Sequence, residues 1–231
     1  MFLTVEEVLK FVKDEKIEMV DFKVMDLVGR WHHVTISASR FNEQIFVQGV
    51  GIDASNYPGF KKVAYADMKI IPDTATAILD PFGDLKTLRL RCEMLDPDGT
   101  PYPKYPRQIA KRAETFLSQI QEGKALFGPE LEFYIFDDVR YASDINQAFY
   151  YLDSVQAFWN TGTEKYPNLG YRFPQKGGYH GIPPADVTST LRSEMVKLIE
   201  EAGIVVKYHH HEVGSPGQVE IEMLFDSLLR S

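Results

Sequence analysis

A single cysteine, Cys92, serves the whole 231-residue chain. With no second thiol there is no intrachain disulfide and no thiolate metal knuckle, so Cys92 is expected to be a small buried apolar residue. No apolar run approaches the ~20 residues needed to cross a bilayer. The amino-terminal MFLTVEEVLKFVKDEK is acidic and amphipathic, and lacks the basic region and apolar stretch of a secretory signal. Positive charge is scarce: 25 Lys and Arg stand against 33 Asp and Glu, a formal net charge of −8. That balance disfavours nucleic acid or an acidic membrane as partner. Internal repeats and low-complexity tracts are also missing. The expectation is a soluble, cytoplasmic chain of ordinary globular composition, 44% hydrophobic and 25% charged, long enough for one large domain or two small ones.

Thr4 and Glu7 form a capping box, and Val5, Val8, Leu9 and Val12 follow at helical spacing, predicting a helix over about residues 4–15. MVDFKVMDLVGRWHHVTI reads as two β-rich runs around a turn at Leu27–Arg30. Residues 49–62, with three glycines and a proline, are expected to be a loop, and residues 63–95 alternate short β-like runs with turn residues. DPDGTPYPKYPR packs four prolines and a glycine into 12 positions and is the best boundary in the chain. QIAKRAETFLSQIQEG is an amphipathic helix ending at Gly123, and KALFGPELEFYIFDDV a strand. Residues 139–178, rich in turn residues and aromatics, carry no assignment. A helix opened by Asp186 or Thr188 runs to about Glu201, with Gly203 as its cap. IVVKYHHHEV and VEIEMLF are strands joined by a tight GSPGQ turn, and FDSLLRS begins a further helix. That last segment has no C-cap and no partner after it, as expected of an incomplete domain.

Glu130-Leu131-Glu132 alternates acid, apolar, acid. Period two points both carboxylates to one side, only about 7 Å apart along the strand. Like charges held so close repel and raise each other's pKa unless a cation lies between them. Taken alone, the pair fits a solvent-facing sheet edge as well as a cation site. HHHEVGSPGQVEIE adds to the second reading. His210 and Glu212 face one way, His209 and His211 the other, and the turn brings Glu220 and Glu222 back towards Glu212. Carboxylate oxygens suit Mg²⁺ or Mn²⁺, and imidazole widens the choice towards Mn²⁺ or Zn²⁺.

FGPELEFYIF and HHHEVGSPGQVEIE, in this order and spacing, resemble the paired metal-ligand motifs of glutamine synthetase. The resemblance runs along the whole chain: VDFKVMDLVGRWHHVTI, GVGIDASNYPGF, YADMKIIPDTATAILDPF, CEMLDPDGTPYPKYPRQIAKRA and QKGGYHGIPPADVTSTLR each match a family segment, in order. It implies an α+β chain, with a β-grasp-like amino-terminal domain over residues 1–105 and an incomplete catalytic α/β domain over 106–231. It also implies ATP-dependent ligation of ammonium to glutamate through a γ-glutamyl phosphate, at a site holding two Mg²⁺ or Mn²⁺ ions. By motif position Glu132, Glu212 and Glu220 match ligands of one ion and Glu130 a ligand of the other. Asp53 matches the aspartate that draws a proton from ammonium, Asp67 a further acid of that region, and Tyr179 a tyrosine lining the pocket. Neighbouring subunits of a ring-shaped homo-oligomer would complete the site, with no nucleic acid or membrane partner.

The chain departs from the family pattern at several points. Asp53-Ala54-Ser55-Asn56 stands where Asp-Gly-Ser-Ser is usual, which alters the loop facing a neighbouring subunit. Lys207 stands where many members carry an acid near the nucleotide. The resemblance also implies family members of about twice this length; the other half would supply a histidine and a glutamate for the second ion, the arginines that hold substrate and phosphate, and a flexible loop. The expectation is therefore a chain inactive by itself, binding one Mn²⁺ more tightly than any second. The altered loop leaves open a ligase that joins glutamate to an amine of polyamine type, and the length leaves open a non-catalytic, half-length metal-binding or assembly protein.

Overall fold

The structure is a computed structural model describing residues 4–162, 171–214 and 216–230. The chain divides into two compact units, Met1–Ala125 and Leu126–Ser231. No helix among the described residues is long and apolar enough to cross a membrane.

The first unit opens with α1 (Val5–Asp14), where Thr4 Oγ1 accepts from the Glu7 amide at 3.1 Å and Glu7 Oε2 accepts from the Thr4 amide at 3.0 Å. These two bonds satisfy amides that the first helical turn would otherwise leave unpaired. The strands are β1 (Met19–Met25) and β2 (Trp31–Ser37), then, after α2 (Glu43–Gln48), β3 (Val50–Asp53), β4 (Asp67–Pro72), β5 (Ile78–Leu79) and β6 (Thr87–Leu95), with α3 (Pro106–Ile120) following. They form one curled sheet in the order β2-β1-β6-β4-β3, with β5 beside β6. β1 and β6 run parallel and the remaining neighbours antiparallel.

Alternation decides what this sheet buries. Leu88, Leu90, Cys92 and Met94 of β6, Met68 and Ile70 of β4, and Val20, Phe22 and Val24 of β1 are all buried, against Val8 and Val12 of α1. Each large apolar side chain so enclosed contributes about 1.5–3 kcal/mol. Cys92 is fully buried, and burial pushes its thiol well above the ordinary range, as its solitary position leads one to expect. The proline-rich corner is stitched to this core: the Tyr102 hydroxyl donates to Phe60 O at 3.1 Å and that of Tyr105 to Cys92 O at 2.8 Å. Arg107, one residue into α3, reaches both Glu93 of β6 (2.6 Å) and Asp73.

The second unit contains β7 (Glu130–Tyr134), the hairpin β8 (Asp138–Ser143) and β9 (Ala148–Asp153), α4 (Ser189–Glu201), β10 (Val206–His211) and β11 (Gln218–Met223). β10, β11 and β7 make a three-stranded antiparallel sheet in that order, and α4 packs on β10. At the start of α4, Asp186 Oδ1 accepts from the backbone and hydroxyl of Thr188, so both proposed openers take part. The Arg192 guanidinium pairs with Asp186 (2.6 Å) and its Nε donates to Nδ1 of His209, a residue of β10, at 3.1 Å.

Two sequence expectations need correction, and one unassigned stretch gains strands. Residues 50–53 of the glycine-rich stretch are a strand, because β4 offers an open edge that propensity does not register. Residues 139–178 include β8 and β9, whose tyrosines are largely exposed. FDSLLRS does not begin a helix: Asp226 bridges back to Phe127 and residues 228–230 turn. Ser215 of the GSPGQ turn lies outside the described residues.

Candidate metal-binding face

The register of the three-stranded sheet determines which side chains meet. His210 of β10 lies opposite Glu220 of β11, which lies opposite Glu132 of β7; one step along, Tyr208 is opposite Glu222, and Glu222 opposite Glu130. Directly opposed residues of antiparallel strands project to the same face. One face therefore carries an imidazole and four carboxylates, while Val219, Ile221, Leu131 and Phe133 take the other.

Two groups of donor atoms result, each with members within 4.8 Å of one another: His210 with Glu212 and Glu220, and Glu130 with Glu220 and Glu222. His210 Nδ1 lies 3.6 Å from Glu212 Oε1 and its Nε2 3.5 Å from Glu220 Oε2. Glu212, Glu220 and Glu222 are buried, Glu130 exposed. Burial above all, then a hydrogen bond with Glu212 and the charges of Glu130 and Glu212, hold the Glu220 carboxyl above its ordinary range against the pull of His210. Carboxylates crowded together beside an imidazole are chemically matched to a hard divalent cation such as Mn²⁺. The donor set thus fits such an ion.

Of the four glutamates singled out from the sequence, the structure brings Glu212 and Glu220 into one group and Glu130 into the other. Glu132 belongs to neither; its Oε2 accepts from Gln218 Nε2 at 2.9 Å. His210 and Glu222 enter as donors that the motif reading did not assign, although period two already set His210 beside Glu212.

The opposite face is built to hold this one still. His211 is 1% exposed, and its Nδ1 lies 2.9 Å from Glu212 O. Burial lowers its pKa, so the ring stays neutral, with Nδ1 as donor. With its amide oriented to suit its neighbours, buried Gln156 donates to His211 Nε2 (3.2 Å) and accepts from the Gly217 amide (3.0 Å). The loop before α4 closes over the same ring. The His180 amide donates to His211 O at 3.0 Å, and a Cβ on Gly178 would lie 2.5 Å from the imidazole and 2.8 Å from Glu212 O. That contact explains the Gly-Gly-Tyr sequence, and it carries Tyr179 to the rim. The exposed phenol ring stacks on His180 (3.9 Å between centroids) and meets His210 edge-on at 5.4 Å.

In the first unit Asp53 and Asp67 are paired directly across β3 and β4, both exposed. Asp53 Oδ1 accepts from the Ser55 amide at 2.8 Å, and the Ser55 hydroxyl and amide together keep its carboxyl below the ordinary range. Ala54 is fully buried in a short 3₁₀ turn without positive φ, so alanine meets no backbone obstacle there. The two aspartates form a small acidic edge of the sheet.

The first unit is a curled mixed sheet with helices, and the second carries a candidate cation site of strand-borne carboxylates and an imidazole. Comparison with known proteins narrows this. The profile of the glutamine synthetase β-Grasp domain matches residues 16–97, and that of the glutamine synthetase catalytic domain matches 103–231. The chain belongs to the glutamine synthetase family. It is 43% identical to glutamine synthetase of Frankia alni, covering 100% of this chain and 49% of that protein. It is 42% identical to the Aquifex aeolicus protein of the same name, over 98% of this chain and 48% of the relative. A cryo-EM structure of Plasmodium falciparum glutamine synthetase matches with a TM-score of 0.85 at 26% identity, over 99% of this chain and 45% of the other. The chain thus spans about half the length of the relatives it matches.

Proposed function

We propose that this chain contributes the carboxylate face of a glutamine synthetase active site, at which ATP and glutamate form a γ-glutamyl phosphate and ammonium supplies the amide nitrogen. The observation that carries the reading is the strand register that converges His210, Glu212 and Glu220 on one point of the sheet. Glu212 and Glu220 would hold one Mg²⁺ or Mn²⁺, with Glu132 as the third family ligand, and Glu130 would contribute to a second. When bound, such ions neutralise phosphate charge during phosphoryl transfer. Asp53, its carboxyl held below the ordinary range and paired across the sheet with Asp67, suits the binding of ammonium, and by motif position it would be the group that draws a proton from it. Tyr179 at the rim would line that pocket. The functional division would fall at residues 105/106, with residues 1–105 of one subunit serving residues 106–231 of a neighbour in a cytoplasmic ring.

The test is Mn²⁺ titration of the 231-residue chain by calorimetry and electron paramagnetic resonance. One Mn²⁺ binds more tightly than any second, and Glu212→Gln or Glu220→Gln weakens it by about tenfold or more. The chain alone forms no glutamine, since ligands for the second ion and for both substrates are supplied elsewhere in the family. Two equally tight sites, or measurable glutamine synthesis by this chain, contradict the reading.

A further inference from the structure

The pairing of β10 with β11 slips by one residue: Val206 is opposite Met223, and Tyr208, two residues on, is opposite Glu222, one residue back. Lys207 is the extra residue of a β-bulge. In regular alternation Lys207 would leave the sheet on the face opposite Tyr208. A bulge sets two consecutive residues against one partner and re-aims the side chain between them. Here both consecutive residues address the same carboxylate. Lys207 Nζ lies 2.6 Å from Glu222 Oε1 and 3.3 Å from the Tyr208 hydroxyl, and 4.6 Å from the centre of the Tyr208 ring. An ammonium group has been brought round onto the acidic face by a one-residue slip.

Its position separates the two donor groups. Glu222 belongs only to the group with Glu130 and Glu220, and the His210, Glu212 and Glu220 group does not contain it. We infer that Lys207 is a built-in counter-cation: it occupies the Glu222 carboxylate, disfavours a divalent ion among Glu130, Glu220 and Glu222, and so directs the first ion to His210, Glu212 and Glu220. The effect is one of charge. A primary ammonium donates hydrogen bonds and cannot coordinate a metal, so an ion entering beside it must displace it from Glu222 or endure its repulsion. Lys207 is thereby a specificity-determining residue for the order of metal loading, an inference that rests on the cation reading proposed above.

Mn²⁺ titration of the native chain, Lys207→Met, Lys207→Arg and the double variant Lys207→Met/Glu222→Gln tests it, read by calorimetry and by spin–spin broadening between neighbouring ions. Lys207→Met tightens the second Mn²⁺ by about tenfold and brings on the broadening. Lys207→Arg keeps the native pattern, because the charge is retained. The double variant loses the gain, because the freed carboxylate is gone. Lys207 is exposed, and circular dichroism of each variant checks the fold; Lys207→Gln serves in place of Met should that variant not fold. A Lys207→Met titration superimposable on the native one overturns the inference while leaving the cation reading intact. A native chain that takes up no Mn²⁺ overturns the cation reading, and the inference with it.

Discussion

The two units bury different chemistry. The first encloses a continuous apolar core of Val8, Phe22, Val24, Met68, Ile70, Leu88, Leu90 and Met94 between sheet and helix. Among the described residues of the second, the buried apolar side chains, Val219, Ile221, Met223 and Phe173 among them, are outnumbered by Asp153, Gln156, Asn160, Asp186, Thr188, Arg192, His211, Glu212, Glu220 and Glu222. Its order comes from saturated polar clusters. Asp153 Oδ1, for instance, accepts from Ser154 N, Trp159 Nε1 and Asn160 Nδ2 at 2.9, 3.1 and 2.7 Å. Apolar burial is non-directional and tolerates repacking, whereas a polar cluster specifies one arrangement and costs heavily when one member is removed. The unit carrying the candidate site is the one held by directional bonds, as a ligand set requiring a fixed geometry demands.

Each unit carries its own tryptophan, Trp31 in the first and Trp159 in the second. Fluorescence-monitored denaturation of Trp→Phe variants can therefore separate them. The largest effect is expected in the apolar unit: Phe22→Ala removes a fully buried ring and costs about 4 kcal/mol in the Trp31 transition. Mn²⁺ uptake that persists in this variant would show that the polar unit keeps its geometry without help from the apolar core.

Arg192→Met comes next, at about 3 kcal/mol in the Trp159 transition, because it leaves the Asp186 carboxylate buried without its cation. Burial pushes Asp186 up, but hydrogen bonds from Arg192 and Thr188 and the guanidinium charge outweigh it and hold the group below its ordinary value of 3.8. A depressed acid contributes stability that is complete above its unfolded pKa and is lost as pH falls through the folded one. The Trp159 transition should therefore weaken below about pH 4, and this acid-sensitive part should shrink in Arg192→Met. An unchanged acid profile would break the claim that the second unit depends on this pair. The smallest effect, about 1 kcal/mol in the Trp31 transition alone, is expected from Thr4→Ala, which removes the capping box of α1.

Much of the sheet was legible because alternation is a local signal. The turn at Leu27–Arg30, the hidden face of LRLRCEML and the common face of His210 and Glu212 can be read without knowledge of any partner. Features that depend on a partner were not legible. Val50–Asp53 is a strand only because β4 lies beside it, and β8 and β9, with exposed tyrosines, lack a one-sided pattern. The Lys207 bulge is a relation between two strands, invisible in either. Asp186 and Arg192, six residues apart, become a buried pair only once α4 is laid on β10. Family resemblance offered candidate ligands where periodicity left the choice open, but it did not single out His210 or Glu222, which the register brings into the two groups.

Gly178 sets a limit on how far this chain can drift. Its hydrogen faces the His211 ring and the Glu212 carbonyl at distances that no methyl group can occupy without moving one of them. Moving either shifts the backbone from which the Glu212 carboxylate springs. A library randomised at this codon and screened for a rigid site would return the parent residue, whereas Glu6, on the outer face of α1, would accept almost anything. The position is silent about chemistry, bearing no functional group of its own, and yet it is among the least negotiable in the molecule.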